Sequence, residues 1–381
     1  MRVIVAPDSF KGSISSIQAA AAIERGINQI AAKVNQNVEV IKIPIADGGE
    51  GTVDAILTGV GGRLEKATVL NPLGEEIESF FGILPDQTAI IEMAAASGIN
   101  LIRPEERNPL LTTTYGTGQL IMKALDAGCN NFIIGIGGSA TNDGGVGMAQ
   151  ALGVKFLDQN GRSIGFGGGE LGKIHKIDIS GIDSRIENIV FTIASDVKNV
   201  LCGPEGASVI FGPQKGATPE MVKVLDHNLM HLAELIQEEL GKEISMVPGS
   251  GAAGGLGGGL MAFINAEIRP GIEIVMELTG FREKVRDADL IITGEGATDY
   301  QTMFGKVPYG VAQIAKEYQK PVICISGTLG NGYEKLFDAG INAFFSIVNR
   351  PMTLEEAMQR GEELLEKTVE NIFKTIFWEV D

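Results

Sequence analysis

At 381 residues the chain is too long for one typical core and points to two domains. A formal net charge of −17 argues against a nucleic-acid backbone or an anionic membrane surface as partner. Glycine is the compositional outlier, at 51 of 381 residues or about 13%, against a usual ~7%, and it clusters in loops without a collagen-like period.

Arg2–Ala6 is expected to be a buried strand, with Pro7 to Ser13 as its exit loop. Residues 15–33 show helical periodicity (Ile17, Ala20, Ile23, Ile27, Ile30), with Ser15 or Ser13 as N-cap. A second strand at Val38–Pro44 delivers Ala46 to Thr52, which runs into a helix near 52–60. Residues 62–94 then hold three extended runs that suggest an antiparallel meander. A helix from Tyr115 to about Ala127 leads to a strand at 132–136, a glycine-rich loop and a helix around 145–152. A hairpin is expected around Val154–Leu157, a strand at Ile189–Ala194 and an amphipathic helix from Pro219 to about Leu240. After the glycine run at 249–259, strands are expected at Asp289–Thr293, Val322–Ser326 and Ala343–Ile347. Helices are expected near 308–318, 331–339 and 354–378. Two N-terminal and three C-terminal βα units make a five-stranded doubly wound domain, 1–62 plus 279–381, with an α/β domain, 63–278, inserted.

No apolar stretch approaches the ~20 residues of a membrane span. VIVAP after Arg2 is far short of a signal-peptide core. Cys129, Cys202 and Cys324 form neither a metal motif nor a disulfide set. These features predict a cytoplasmic protein.

Ligands of an open parallel sheet bind beyond the carboxyl ends of its strands. Five expected strands exit into a loop with an acid: Asp8, Asp47, Asp143, Asp196 and Glu295, although each acid alone is also explained as a cap or turn residue. The fullest loop is IIGIGGSATNDGGVG at 133–147, where glycines allow close approach to a ligand, N–H groups can cradle an anion, and Asp143 adds a carboxylate for a metal or a hydroxyl proton. Lys11 and Lys306 lie beside glycines, where an ammonium can hold a phosphate. Arg269 can fork onto a carboxylate, unless Glu267 neutralises it. No P-loop, HExxH or GxSxG motif is present. His227 and His231 have metal-compatible spacing, yet a solvated helix face explains them. Glycine-rich loops, carboxylates and lysines without catalytic histidine suit phosphoryl transfer assisted by Mg2+.

Seven blocks allow more: IVAPDSFKGS at 4–13, ADGGEGT at 46–52, GIGGSATNDGGVGM at 135–148, ASDV at 194–197, FGPQKGA at 211–217, GSGAAGGLGGGL at 249–260 and TGEGATDYQTMFGK at 293–306. In this order they resemble the bacterial glycerate kinase family. The resemblance implies an ATP-dependent, Mg2+-requiring kinase acting on D-glycerate, with a flavodoxin-like domain carrying a second α/β domain. It favours 2-phosphoglycerate over 3-phosphoglycerate as product, while the sequence itself leaves open which hydroxyl is phosphorylated. The partner is then a small-molecule substrate, with no nucleic acid and no membrane, and a homodimer is compatible with the sequence.

For an interdomain cleft of such an enzyme, the residues favoured for catalysis are Asp196 as base, Lys11 as phosphate cation and Asp8. Gly137, Gly138, Ser139, Gly254, Gly255, Gly257 and Lys306 are expected to contact the cofactor. Asp47, Arg269 and Asn142 are expected to contact substrate, and Asp47 and Glu295 the metal. The sequence leaves open which glycine-rich loop serves ATP and which serves glycerate. Two rival readings are a small-molecule kinase of the galactokinase/homoserine kinase kind, to which GSGAAGGLGGG is superficially similar, and a non-catalytic glycerate or nucleotide sensor.

Overall fold

The computed structural model describes residues 1–378 apart from Asp47 and Glu50. The chain divides into two compact units, one of Met1–Asp47, Asp54–Gly61 and Ile272–Asp381, the other of Gly48–Val53 and Gly62–Gly271.

In the first unit five strands pair in parallel, in the order Ala343–Ser346, Val322–Ser326, Leu290–Gly294, Arg2–Pro7, Glu39–Lys42. Numbered along the chain within this unit the order is 2-1-3-4-5, the flavodoxin-like doubly wound arrangement. Val3, Val5, Leu290 and Ile292 form one core with helices Ser16–Lys33 and Gly361–Ile376. Ile4 and Ile291, fully buried, alternate to the other face. The helix Val307–Glu317 contacts the same two central strands. Of the two N-cap candidates for the first helix, Ser15 is the cap: its Oγ accepts from Gln18 N at 3.1 Å and Gln18 Oε1 accepts from Ser15 N at 2.9 Å, a reciprocal capping box.

Two helices differ from expectation. The stretch 331–339 forms only a 3-10 turn, Tyr333–Phe337. The last helix is two, Leu354–Gln359 and Gly361–Ile376, separated at Arg360. Ser13 explains the break: its Oγ donates to the Met358 carbonyl at 2.6 Å, and a Cβ on Gly361 would stand 2.4 Å from the same Oγ.

The second unit holds a six-stranded sheet in the order Glu267–Arg269, Val190–Ala194, Asn131–Gly135, Thr88–Glu92, Glu76–Ile83, Arg63–Leu70. The meander over 62–94 is present. Its last strand, Thr88–Glu92, also pairs in parallel with Asn131–Gly135. Two further parallel pairings follow this pattern outward to Glu267–Arg269, a short strand that the sequence did not signal. The expected hairpin forms around Asp158–Gly161, with Leu157 bridging Ser163, and Lys155–Leu157 pairs further with Lys176–Asp178. Among the described residues no helix is long and apolar enough to cross a membrane.

Candidate functional site

In the first unit the strand order reverses between Arg2–Pro7 and Leu290–Gly294, and the exit loops of these two strands lie side by side. Asp8 N donates to the Gly294 carbonyl at 2.8 Å. Gly296 brings the two backbones together, since a Cβ there would already lie 3.4 Å from Lys11 N. Asp8 is buried, and its Oδ1 accepts from Ser9 N at 2.6 Å. Lys11 is exposed. Across from it Glu295 is only 5% exposed. Its Oε1 accepts from the Thr302 hydroxyl at 2.6 Å and the Thr298 hydroxyl at 3.1 Å, while Oε2 lies 3.3 Å from the Lys306 ammonium. Thr298 in turn shares a 2.7 Å hydrogen bond with Ser326 Oγ, at the end of the next strand. The hydroxyls fix the carboxylate from below, and the lysine is the more exposed partner of the pair. Such an arrangement can exchange a Lys306–Glu295 pair for a Lys306–phosphate contact and release a carboxylate oxygen.

The second unit gathers another set of exit loops. A Cβ on Gly48 would stand 2.4 Å from the Ala194 carbonyl oxygen, and Gly137 N donates to Gly48 O at 3.3 Å. Ser195 N donates to Arg269 O at 3.0 Å. Close backbone approach therefore places Gly137, Gly138, Ser139, Asp196 and Arg269 at the carboxyl ends of neighbouring strands. Gly138, with φ +75°, and Asp196 are exposed, and Ser139 is buried. Asp47 lies outside the described residues.

Several expected ligand contacts are turned inward. Asp143 is 1% exposed, and its carboxylate accepts from Thr114 N at 2.8 Å, Thr114 Oγ1 at 2.9 Å, and Gly145 N and Gly147 N at 3.2 Å each. Burial pushes its carboxyl upward in pKa, against these donors. It organises the loop and the start of the helix Val146–Ala151, and is not presented to a metal or a hydroxyl. Asn142 is fully buried and donates to Ser208 Oγ at 2.8 Å. Gly254, Gly255 and Gly257 are buried packing points: added Cβ atoms would lie 2.0 Å from Thr141 O, 2.8 Å from Gly144 Cα and 2.3 Å from Gly249 O. The glycine run lets the backbone before and within helix Leu256–Ile264 press onto the 141–145 loop. It offers no open cradle.

Two residues escaped the sequence reading. Glu92 ends the strand Thr88–Glu92, is buried, and accepts from Val53 N at 2.7 Å at the start of helix Thr52–Val60. The rule that found the other strand-exit acids also finds Glu92 once its strand is known to be parallel. Lys215, known from the sequence only as part of FGPQKGA, is 2% exposed, with Nζ donating to Thr141 O at 2.7 Å. His231 Nε2 pairs with the Ile174 carbonyl at 2.7 Å and His227 is exposed, so the pair forms no metal site. Among the described residues no group of three His, Cys, Asp or Glu is placed to hold a metal ion.

The chain matches the model of the glycerate kinase family over residues 3–377. It is 52% identical over 377 residues to a glycerate kinase of Halalkalibacterium halodurans, covering 99% of this chain and 98% of that protein. To a glycerate 2-kinase of Escherichia coli K12 it is 49% identical over 377 residues, again covering 99% of this chain and 98% of that protein. A crystal structure described provisionally as glycerate kinase 2 of Salmonella typhimurium LT2 is 47% identical, with a TM-score of 0.87 over 99% of this chain and 98% of that one.

Proposed function

Because this chain belongs to the glycerate kinase family, we propose that it transfers the γ-phosphoryl group of ATP to D-glycerate, with 2-phosphoglycerate as product. The observation that carries this reading is similarity over nearly the whole chain to a protein named glycerate 2-kinase. Phosphoryl transfer calls for positioning and charge neutralisation more than covalent chemistry. The residues at the strand exits suit that demand.

Lys11 and Lys306 act as phosphate cations, flanked by Gly12 and Gly305, both at positive φ. Gly137, Gly138 and Ser139 take an anionic group of a substrate, Arg269 meets the glycerate carboxylate, and Asp196 accepts the hydroxyl proton. Asp8 assists beside Lys11. Mg2+ held with ATP would supply charge neutralisation for the transferred phosphoryl group. Glu295, anchored by two hydroxyls on one oxygen, is the described carboxylate that fits it, since Mg2+ needs only one or two carboxylates beside substrate oxygens. Three free, buried cysteines suit a cytoplasmic, reducing location.

A coupled assay of ADP release tests the function, with D-glycerate as acceptor and with Mg2+ added or chelated. Release that needs both is the expected result, and phosphorus NMR of the product should place the phosphate on the 2-position. Glycerate binding without ADP formation under any divalent metal would overturn the kinase reading.

A further inference from the structure

Lys215 is among the largest fully buried side chains of the protein. A buried cation is costly unless it is well paired, and one carbonyl engages only one of the three N–H donors of an ammonium. A methionine would fill similar volume without that cost, so stability gives no reason for a lysine here. Its surroundings do. Thr141 Oγ1 and Asn142 Oδ1, beside the gripped carbonyl, are buried without a hydrogen-bond partner. Asn142 Nδ2 donates to Ser208 Oγ at 2.8 Å, so the 208–215 segment holds the loop at two successive residues.

Few charges face the amine. Asp143, on the loop itself, attracts the ammonium form. Arg107 packs its carbonyl and Cβ against Gly216. The 249–260 run, which presses on Thr141, contains no titratable residue. Burial pushes the Lys215 amine down to about 7 against the pull of Asp143. Near neutral pH, a modest change of local potential therefore moves its proton on or off. Gly138, the exposed residue of the loop, is three residues from Thr141, at most about 10 Å of chain.

We propose that Lys215 is a positioning residue for the 137–145 loop, gripping the Thr141 carbonyl and taking up a proton when an anion settles at the loop's exposed Gly138. This rests on the reading that the loop meets an anionic substrate. The proton comes from solvent, and the neutral amine becomes the ammonium that fixes the loop around its ligand.

Calorimetric titration with D-glycerate and, separately, with ADP tests it, each in two buffers of different ionisation enthalpy so that protons exchanged per ligand bound are measured. One of the two ligands is expected to bind with uptake of about half a proton, greatest about half a unit above pH 7, as for an amine whose pKa rises by about one unit on binding. Ordinary lysines give their uptake near their usual pKa of ~10.4. Lys215→Met and Lys215→Arg should both lose this near-neutral uptake, the first having no charge and the second a charge that does not titrate. Uptake in either folded variant equal to that of the wild type overturns the proposal. So does wild-type uptake without a near-neutral maximum, a result that needs no variant, and so does failure of both ligands to bind. ADP release is a separate readout: a wild type that takes up the proton but forms no ADP keeps this inference and loses the kinase reading.

Discussion

The Lys306 ammonium stands 3.3 Å from Glu295 Oε2, while Thr302 and Thr298 both donate to Oε1 of the same carboxylate. Two threonines of one loop thus hold the acid, and the lysine that closes the loop sits on its outer oxygen. The pair joins a partly exposed ammonium to a buried carboxylate that keeps its two threonine donors, so Lys306→Met should still fold, with a lowered melting temperature. If Lys306 meets ATP phosphate, its loss should raise the KM for ATP at least ~10-fold, in line with the 1.5–3 kcal/mol of a charge-assisted hydrogen bond. Steady-state kinetics decides, and an unchanged KM would remove Lys306 from the phosphate role.

Gly254 has φ +69°, and a Cβ there would lie 2.0 Å from Thr141 O. A side chain adds left-handed strain of about 1–2 kcal/mol to an overpacking cost of about 1–3 kcal/mol. Gly254→Ala should therefore lose roughly 2–5 kcal/mol of unfolding free energy in a urea titration. A variant as stable as the wild type would mean that the run yields easily, and would return Gly254 to the ligand-contact candidates.

Much of this architecture was legible because local signals and global fold agree. The apolar runs of Arg2–Pro7 and Leu290–Gly294, each followed by a polar glycine-bearing loop and a periodic helix, specify parallel βα units without help from distant residues. Ser15 and Gln18 mark a helix start three residues apart. What escaped depends on partners far away in sequence. Glu267–Arg269 is too short to show alternation and is a strand only because Val190–Ala194 offers it an edge. Arg360 interrupts a continuous helical pattern because Ser13, more than 340 residues earlier, takes up the Met358 carbonyl.

The site was less legible for the same reason. Asp143 and Asp196 follow apolar strands alike, yet Thr114 consumes the first carboxylate while the second is exposed. Nothing local separates a lysine on a solvated loop from Lys215, whose acceptor lies 74 residues away.

Lys215 also carries a stability signature with a fixed sign. Its pKa falls from 10.5 to about 7 on folding, through burial, with Asp143 opposing. Between those values the unfolded chain binds the extra proton, so this lysine's contribution makes the fold more stable as pH rises through the window. Below about pH 7 both states are charged and the full burial cost remains. The slope is at most about 1.4 kcal/mol per pH unit. Lys215→Met lacks it, so any stability advantage of the variant over the wild type should be largest near pH 6 and shrink toward pH 9. Urea unfolding of both proteins across that range checks the sign, and a gap that stays constant or widens with pH contradicts a buried, depressed amine.

Asp196 offers the most direct test of chemistry. It follows the strand Val190–Ala194, it is exposed, and the next residue back, Ser195, is tied to the backbone of Arg269, the residue assigned to the glycerate carboxylate. On the proposed assignment, with Arg269 on the substrate carboxylate, Asp196 is the carboxylate that takes the hydroxyl proton. General-base assistance typically contributes ~10²–10⁴ in rate. Asp196→Asn removes the charge with little change in volume, so it should cut turnover by about that factor. Surface substitutions usually change stability by under about 0.5 kcal/mol, so the fold should be unaffected. ATP affinity should stay close to that of the wild type, because a base acts in the transition state and not on bound nucleotide. Near-normal turnover in Asp196→Asn would dismiss it as the base. Asp8, whose Oδ1 is held by Ser9 N at 2.6 Å beside Lys11, would then be the carboxylate to replace next.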